Sequence, residues 1–162
     1  MLYIILGAAL LAADQWVKYW TVEQLALGES APLLPGLVEL LRVHNYGAAW
    51  SSFSGMRWLL LAVTGVIVAA VIFVVVRGPV HHPLGLTAAA LIVSGGLGNI
   101  LDRARLGYVV DMFNLQFIHY PVFNVADIAI VSGAVLAVIY YLWFYEKYDK
   151  RGAGNGNPDA DG

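Results

Sequence analysis

Long runs of apolar residues dominate this chain, and they lack the strict alternation of half-buried strands. The hydrocarbon core of a bilayer takes about 20 mostly apolar residues in helical form. Four segments meet that requirement: Leu2 to about Trp20, interrupted by Asp14 and Lys18; the uncharged run between Arg57 and Arg77; Pro83 to Leu101; and about Val125 to Tyr145. Backbone groups cannot go unpaired in lipid, so runs of this length predict helices, and the pattern does not match the strands of a membrane barrel. The expected fold is an all-α membrane protein with four transmembrane helices. Of the connections, Gly78–His82 is tight. Thr21–Met56 is longer and holds a Pro35-Gly36 turn, followed by Leu37–His44, which reads as a short strand pairing with something nearby. Asp102–Phe123 reads as a loop dense in polar residues. The organisation expected is one domain over residues 1–151 and a disordered polar tail over 152–162, since Gly, Asn, Pro and Asp leave nothing to bury.

Composition strengthens the membrane reading. The 162 residues are 60% hydrophobic and only 12% charged, whereas soluble domains are about half apolar and about a quarter charged. A net charge of −2 with no Lys/Arg block supplies no footprint for nucleic acid. The absence of cysteine excludes disulfides, thiolate nucleophiles and Cys-based metal sites. The first segment also reads as a secretory signal, with Ala-Ala-Asp as a cleavage site, but no basic residue precedes Leu2 as an n-region requires. Basic residues fall on both sides of the four spans, so the positive-inside rule does not orient the chain.

Charge placement is the more informative pattern. Asp14, Asp102, Asp111 and Asp127 all fall at or beside span ends on one side of the membrane, where a carboxylate at a helix centre costs on the order of 2.5–3.5 kcal/mol and less near the interface. Asp14 and Lys18 share a helix face four residues apart, either as an anchoring ion pair or as part of an inward-facing site. Asn99, Asp102 and Arg103 share a face if the third helix continues that far; Gly95, Gly96 and Gly98 before them suit close helix approach. Asn124 and Asp127 have the spacing of a capping box. Asp111 has no such local explanation. Together Asp111 and Asp127 suggest a carboxylate pair that shares one proton, one member taking a proton from water while the other donates.

Other chemistries fail. The histidines, His44, His81, His82 and His119, form no His-Glu-x-x-His zinc motif, and the adjacent pair is expected to sit solvated in a loop. No Gly-x-Ser-x-Gly elbow or Walker-type loop occurs. Asn99 stands where the Gly-x-Gly-Asp membrane proteases carry an acid. Two other classes stay open on the residues alone. Intramembrane acids also mark ion carriers, although no inverted repeat is evident, and a structural subunit would use the same pairs as helix-end hardware.

Four blocks in order carry a resemblance: Asp14-Gln15 with Lys18; Asn45-Tyr46-Gly47-Ala48-Ala49-Trp50-Ser51; Gly95 to Arg103 followed by Gly107 and Val110-Asp111; and Phe123-Asn124-Val125-Ala126-Asp127. The chain is similar to the lipoprotein signal peptidases. That resemblance implies an aspartic endopeptidase that removes the signal peptide from diacylglyceryl-modified prolipoproteins, cutting just before the lipidated cysteine with a water activated by two aspartates. It identifies Asp111 and Asp127 as catalytic, and Asp14, Lys18, Asn45, Asn99, Arg103 and Asn124 as supporting or substrate-binding. It implies no metal or cofactor. It further implies a monomer in contact with membrane lipid, and a multi-pass protein of the bacterial inner membrane with cytoplasmic termini and the site near the outer face. A small extracytoplasmic β-containing region is expected between helices 1 and 2. Trp50 and Met112 stand where the family commonly has Phe, a change expected to bear on substrate fit.

Overall fold

The structure is a computed structural model and describes residues 1–48, 52–78 and 80–150. Four long helices appear: α1 (Leu2–Gln24), α2 (Arg57–Arg77), α3 (Pro83–Arg105) and α4 (Val125–Tyr140), the last continuing as a wider π-helical segment, Tyr141–Lys150. Three strands complete the fold, β1 (Ser30–Leu34), β2 (Val38–Asn45) and β3 (Val109–Leu115).

Among the described residues, three helical stretches are long and apolar enough to cross a membrane: Arg57–Arg77, Pro83–Arg105 and Val125–Asp149. The expected count of four is met by helices but not by apolar composition. α1 is as long as α3 but carries Asp14, Gln15, Lys18 and Glu23, and its buried residues are the polar Asp14, Lys18 and Thr21. It is a helix turned inside out, apolar toward its surroundings and polar toward its neighbours. α2 shows the lipid-facing extreme, with Val68 its one buried residue. Exposed aromatics gather at both ends of the bundle, Trp16, Tyr19, Trp20 and Trp58 at one and Tyr141, Trp143 and Tyr148 at the other, as amphipathic rings do at the two bilayer interfaces.

α3 is central and packs on α1, α2 and most extensively α4. Its small residues permit this. A Cβ on Gly95 would strike the Ala126 carbonyl oxygen and lie 2.8 Å from Ile130 Cγ1, and one on Gly98 would lie 2.5 Å from an Asp14 carboxylate oxygen. In lipid, where apolar burial supplies no drive between helices, such backbone approach holds a bundle together. Gly95→Ala is therefore expected to lower stability by roughly 1–3 kcal/mol, whereas Gly65→Ala, inside α2 with nothing within 4 Å, is expected to hold or raise it, since alanine is the better helix former. Thermal melts of the two variants in detergent check this directly, and equal melts would rule out the close packing of α3 on α4.

The sheet is antiparallel in the order β1-β2-β3. Gly36, at φ +76°, turns β1 into β2 as the Pro-Gly signal requires. β3 is the correction. Asp111 was expected in a loop, but it pairs with Val43 on β2 in a register running from Val38↔Leu115 to Asn45↔Val109. The β region is thus not confined to the α1–α2 connection but takes its third strand from the α3–α4 connection. A core of Leu25, Leu40, Val110 and Met112 seats the sheet on the end of α1. Arg42 adds a polar clasp: its Nη1 donates to the Val22 and Leu25 carbonyls at 3.1 and 2.9 Å, satisfying acceptors that the end of α1 would otherwise leave orphaned. Met112 is fully buried in this core and does not line the cavity described below, so its expected bearing on substrate fit is replaced by a packing role. Trp50 and the 152–162 tail lie outside the described residues.

At the far end of the bundle the histidine pair also departs from expectation. His82 is half-buried and caps α3, its Nδ1 accepting the Leu84 N–H at 3.2 Å. Buried Asp149 accepts the backbone N–H groups of His81 and His82 at 3.2 and 3.4 Å and the Tyr140 hydroxyl. Only His81 points to solvent.

Candidate active site

At the sheet end of the bundle a cavity of about 240 Å³ is lined by Asn45, Asn99, Arg103, Asp111, Asn124 and Asp127, with Tyr120 to Phe123 forming a wall. Four elements or their ends, β2, α3, β3 and α4, deliver the six polar side chains. α3 runs on through Arg105, past the expected end at Leu101, so Asn99, Asp102 and Arg103 share one helical surface. The sheet holds Asn45 and Asp111, and the first turn of α4 holds Asn124 and Asp127.

Three carboxamides grip the two carboxylates. Asn45 Nδ2 and Asn124 Nδ2 donate to the two Asp111 oxygens at 2.9 and 2.6 Å. Asn99 Nδ2 donates to Asp127 Oδ1 at 2.8 Å, and the Asn124 backbone N–H donates to Asp127 Oδ2 at 3.2 Å. The Asn124 side chain accepts the Asp127 N–H at 2.9 Å, so the capping box expected from the spacing is present. Capping and site-building turn out to be the same contacts. Asp111 is 2% exposed; burial, and secondarily the neighbouring Asp127 carboxylate, push its carboxyl up to about 7. A carboxylic acid neutral near pH 7 beside a second carboxyl is a proton donor and acceptor in one cavity.

Behind this layer lies a buried ionic cluster. Lys18 Nζ sits 2.9 Å from Asp14 Oδ2, 3.1 Å from Asp102 Oδ2 and 3.1 Å from Asn99 Oδ1. Asp14 is 1% and Lys18 3% exposed, so the helix-face pair expected from the spacing is internal and not a surface anchor. Asp14 Oδ1 also accepts the Ala126 N–H at 2.8 Å, and Asp102 Oδ2 accepts the Val110 N–H at 3.1 Å. One acid therefore fastens α1 to the start of α4, and the other fastens α3 to β3 one residue before Asp111. Arg103 Nη2 donates to the Gly47 carbonyl at 2.8 Å, tying the chain after β2 to the cavity wall.

All eight site residues expected from the sequence thus converge on this end of the bundle. Two contributors were missed. Asp102 was noted as polar but not as part of the site, although its place beside Arg103 on the Asn99 face was the available signal. Gln15, whose Nε2 bridges Asp14 and Asp102 at 3.2 and 3.1 Å, had its signal in the first of the four blocks, where it follows Asp14. A wider groove of about 690 Å³ over β2, β3 and the 116–122 stretch opens beside the cavity and shares Asn45, Asp111 and Tyr120 with it. Among the described residues, no group of three or more His, Cys, Asp or Glu side chains is placed to hold a metal ion.

Residues 6–143 match the family model described as signal peptidase (SPase) II. The chain is 36% identical over 160 residues to a lipoprotein signal peptidase of Enterococcus faecalis, covering 97% of each chain. It is 40% identical over 147 residues to a lipoprotein signal peptidase of Streptococcus pyogenes serotype M6, covering 91% of this chain and 96% of that one. A solved bacterial membrane enzyme superposes with a TM-score of 0.83 at 25% identity over 96% of this chain and 92% of its own. A second superposes with a TM-score of 0.81 at 27% identity, over 88% of this chain and 93% of its own. With the match spanning the helical bundle, the sheet and the cavity between them, this chain belongs to the signal peptidase II family of membrane-embedded peptidases.

Proposed function

We propose that this protein removes the signal peptide from diacylglyceryl-modified prolipoproteins by aspartic catalysis, cutting just before the lipidated cysteine, with Asp111 and Asp127 as the catalytic residues. The observation that carries this reading is the pair of carboxylates from β3 and α4 in one cavity, Asp111 buried and Asp127 half-buried, each fixed by carboxamide donors. The ionised member removes a proton from water as its oxygen adds to the scissile carbonyl carbon, and the protonated member gives its proton to the carbonyl oxygen. In the resulting diol the first aspartate returns its proton to the nitrogen as the C–N bond breaks. A diol hydroxyl reprotonates the second. The dyad ends as it began, with no metal or cofactor in the cycle. Asn45, Asn99 and Asn124 orient the carboxylates, Asp14 and Lys18 brace them from behind, and Arg103 lines the substrate space.

In this reading α1 is a fourth span. The burial of Asp14 and Lys18 supports it, because lipid then meets mostly the apolar faces of the helix. Residues 1–151 act as one unit and as a monomer, with both termini cytoplasmic and the cavity near the outer face of the bacterial inner membrane, where the lipid of the substrate lies in the adjoining leaflet. The test is cleavage of a purified diacylglyceryl-modified prolipoprotein by the wild type and by Asp127→Asn. Product cut before the lipidated cysteine, falling at least about 10³-fold in the variant, is the expected result. Robust cleavage by a folded Asp127→Asn protein would remove the dyad.

A further inference from the structure

Two neutral amides, Asn99 and Asn124, connect the ionic cluster to the dyad, and neither is free to turn around. An asparagine side chain presents an acceptor at one end and donors at the other, so a neighbour able only to donate settles which end faces it. Lys18 is such a neighbour. Its ammonium has three protons and three acceptors within reach: Asp14, Asp102 and Asn99 Oδ1. Asn99 must therefore turn its oxygen to Lys18 and its Nδ2 to Asp127 Oδ1. The same Asn99 oxygen accepts Asn124 Nδ2 at 3.2 Å, so the lysine charge also reinforces the direction in which Asn124 donates to Asp111.

We propose that Lys18, although outside the cavity, is a positioning residue that selects Asp127 as the ionised member of the pair and leaves the shared proton on Asp111. The inference rests on the dyad reading above and assigns the two roles left open there. Asp127 faces two donors that cannot reverse, the lysine-locked amide and a backbone N–H, and it sits in the first turn of α4, where aligned peptide dipoles favour a negative charge. Asp111 lies on a strand with no helix terminus behind it. Its oxygens also accept from two held amides, Asn124 one relay further from Lys18 and Asn45 fixed by the Gly47 N–H, so the difference lies in the shorter path from Lys18 to Asp127 and in the helix terminus behind it. The charged and titratable groups facing the pair are Asp14 and Lys18 from α1, Asp102 and Arg103 from α3, and Tyr120 from the cavity wall. The Arg103 charge bears on both carboxylates, on Asp127 ahead of Asp111, and so favours the same assignment from the cavity side. In the reaction Asp127 is then the base toward water and Asp111 the acid toward the carbonyl oxygen.

The test is a pair of measurements on the full chain in lipid nanodiscs. The first is the pH dependence of kcat/KM toward the diacylglyceryl-modified prolipoprotein. Lys18→Met removes the lock, and the acid limb, which reports the base, is expected to move up by about one pH unit, lowering kcat/KM about tenfold on that limb. The alkaline limb moves up by less, since Lys18 reaches Asp111 only through a second amide, and Lys18→Arg returns the acid limb toward wild type. Should Lys18→Met fail to fold, the double variant Lys18→Met with Asp14→Asn keeps the net charge of the cluster and, through the released amide, moves the acid limb in the same direction by less. An alkaline limb that moves as far as the acid limb, or two unmoved limbs, overturns the proposal. The second is the infrared band of a protonated carboxyl at about pH 6 in chains labelled with ¹³C-aspartate. It is expected in wild type and Asp127→Asn and absent from Asp111→Asn; the reverse pattern overturns the assignment. The infrared readout needs no turnover, so a wild type that never cleaves counts against the dyad reading and not against the assignment.

Discussion

Asp111→Asn is expected to make the protein inactive and more stable at once. In the proposed reaction Asp111 exchanges a proton with the substrate, and an amide at that position cannot, so turnover should fall at least about 10³-fold. Stability moves the other way for a reason visible in the fold. Below pH 3.8, the ordinary value, Asp111 is protonated in both the folded and the unfolded chain. Between 3.8 and about 7 the unfolded chain releases the proton while burial in the folded chain holds it. Rising pH across that window therefore disfavours the fold, by an amount on the order of a few kcal/mol by pH 7. Asparagine keeps an acceptor for one of the Asn45 and Asn124 donors and never ionises. The expected outcome is a higher Tm for Asp111→Asn than for wild type at pH 8, with the gap closing toward pH 4. Melting curves at the two pH values, alongside the cleavage assay, check both halves. A variant that melts lower at pH 8 would mean that the carboxylate is a structural asset, and the balance between burial and hydrogen bonding would need to be redrawn. The same proton also predicts that wild-type activity declines on the alkaline side as Asp111 ionises.

Asp14→Ala reverses the pattern, harming the fold or substrate capture more than the chemical step. Asp14 touches neither carboxylate of the pair. It neutralises Lys18 and caps the first turn of α4 from a different helix by accepting the Ala126 N–H. Truncation leaves that buried N–H without its acceptor, removes one of two counter-ions from a buried ammonium, and opens space beside Gly98. A loss of roughly 3 kcal/mol or more is expected, seen as a large drop in Tm in detergent. Well below that Tm, kcat should change far less than it does for the dyad variants. Asp14→Asn, which keeps an oxygen for Ala126, should recover part of the loss. An unchanged melting curve together with unchanged substrate affinity would defeat this role.

The site is legible in the sequence wherever a local rule and the tertiary structure ask for the same residue. Asn124 and Asp127 are the clearest case, because the spacing that caps a helix also places both side chains at its mouth. Asn99 and Arg103 were legible because helical periodicity puts them on one face, provided the helix runs on, and it does. Reading failed where partners are remote. Asp111 sits in a β-prone run, Val109 to Leu115, whose first four residues are all buried. With both faces covered no alternation survives to announce a strand, and the pairing partner lies far away in sequence, on the other side of two helices. His82 was misread for a similar reason: the Tyr140, Phe144 and Tyr148 rings that bury it belong to the other end of the chain.

The case of α1 marks the boundary most sharply. Hydropathy along the chain fixes that long helices form in lipid, because an apolar run has no other way to satisfy its backbone there. Sequence by itself thus determined the helical class, the positions of the long helices and the shortlist of polar residues too costly to be incidental. It could not determine which way those residues face or what answers them. Asp14, Lys18, Asn99, Asp102 and Asn124 form one connected cluster only after α1, α3 and α4 pack within hydrogen-bond reach, on glycines that let the backbones meet. A hydrogen bond depends on ångström distances and on the direction of each donor, and both are properties of the packed bundle. Tertiary structure alone therefore decided that two carboxylates from a strand and a helix share one cavity, and that three amides are locked as donors toward them.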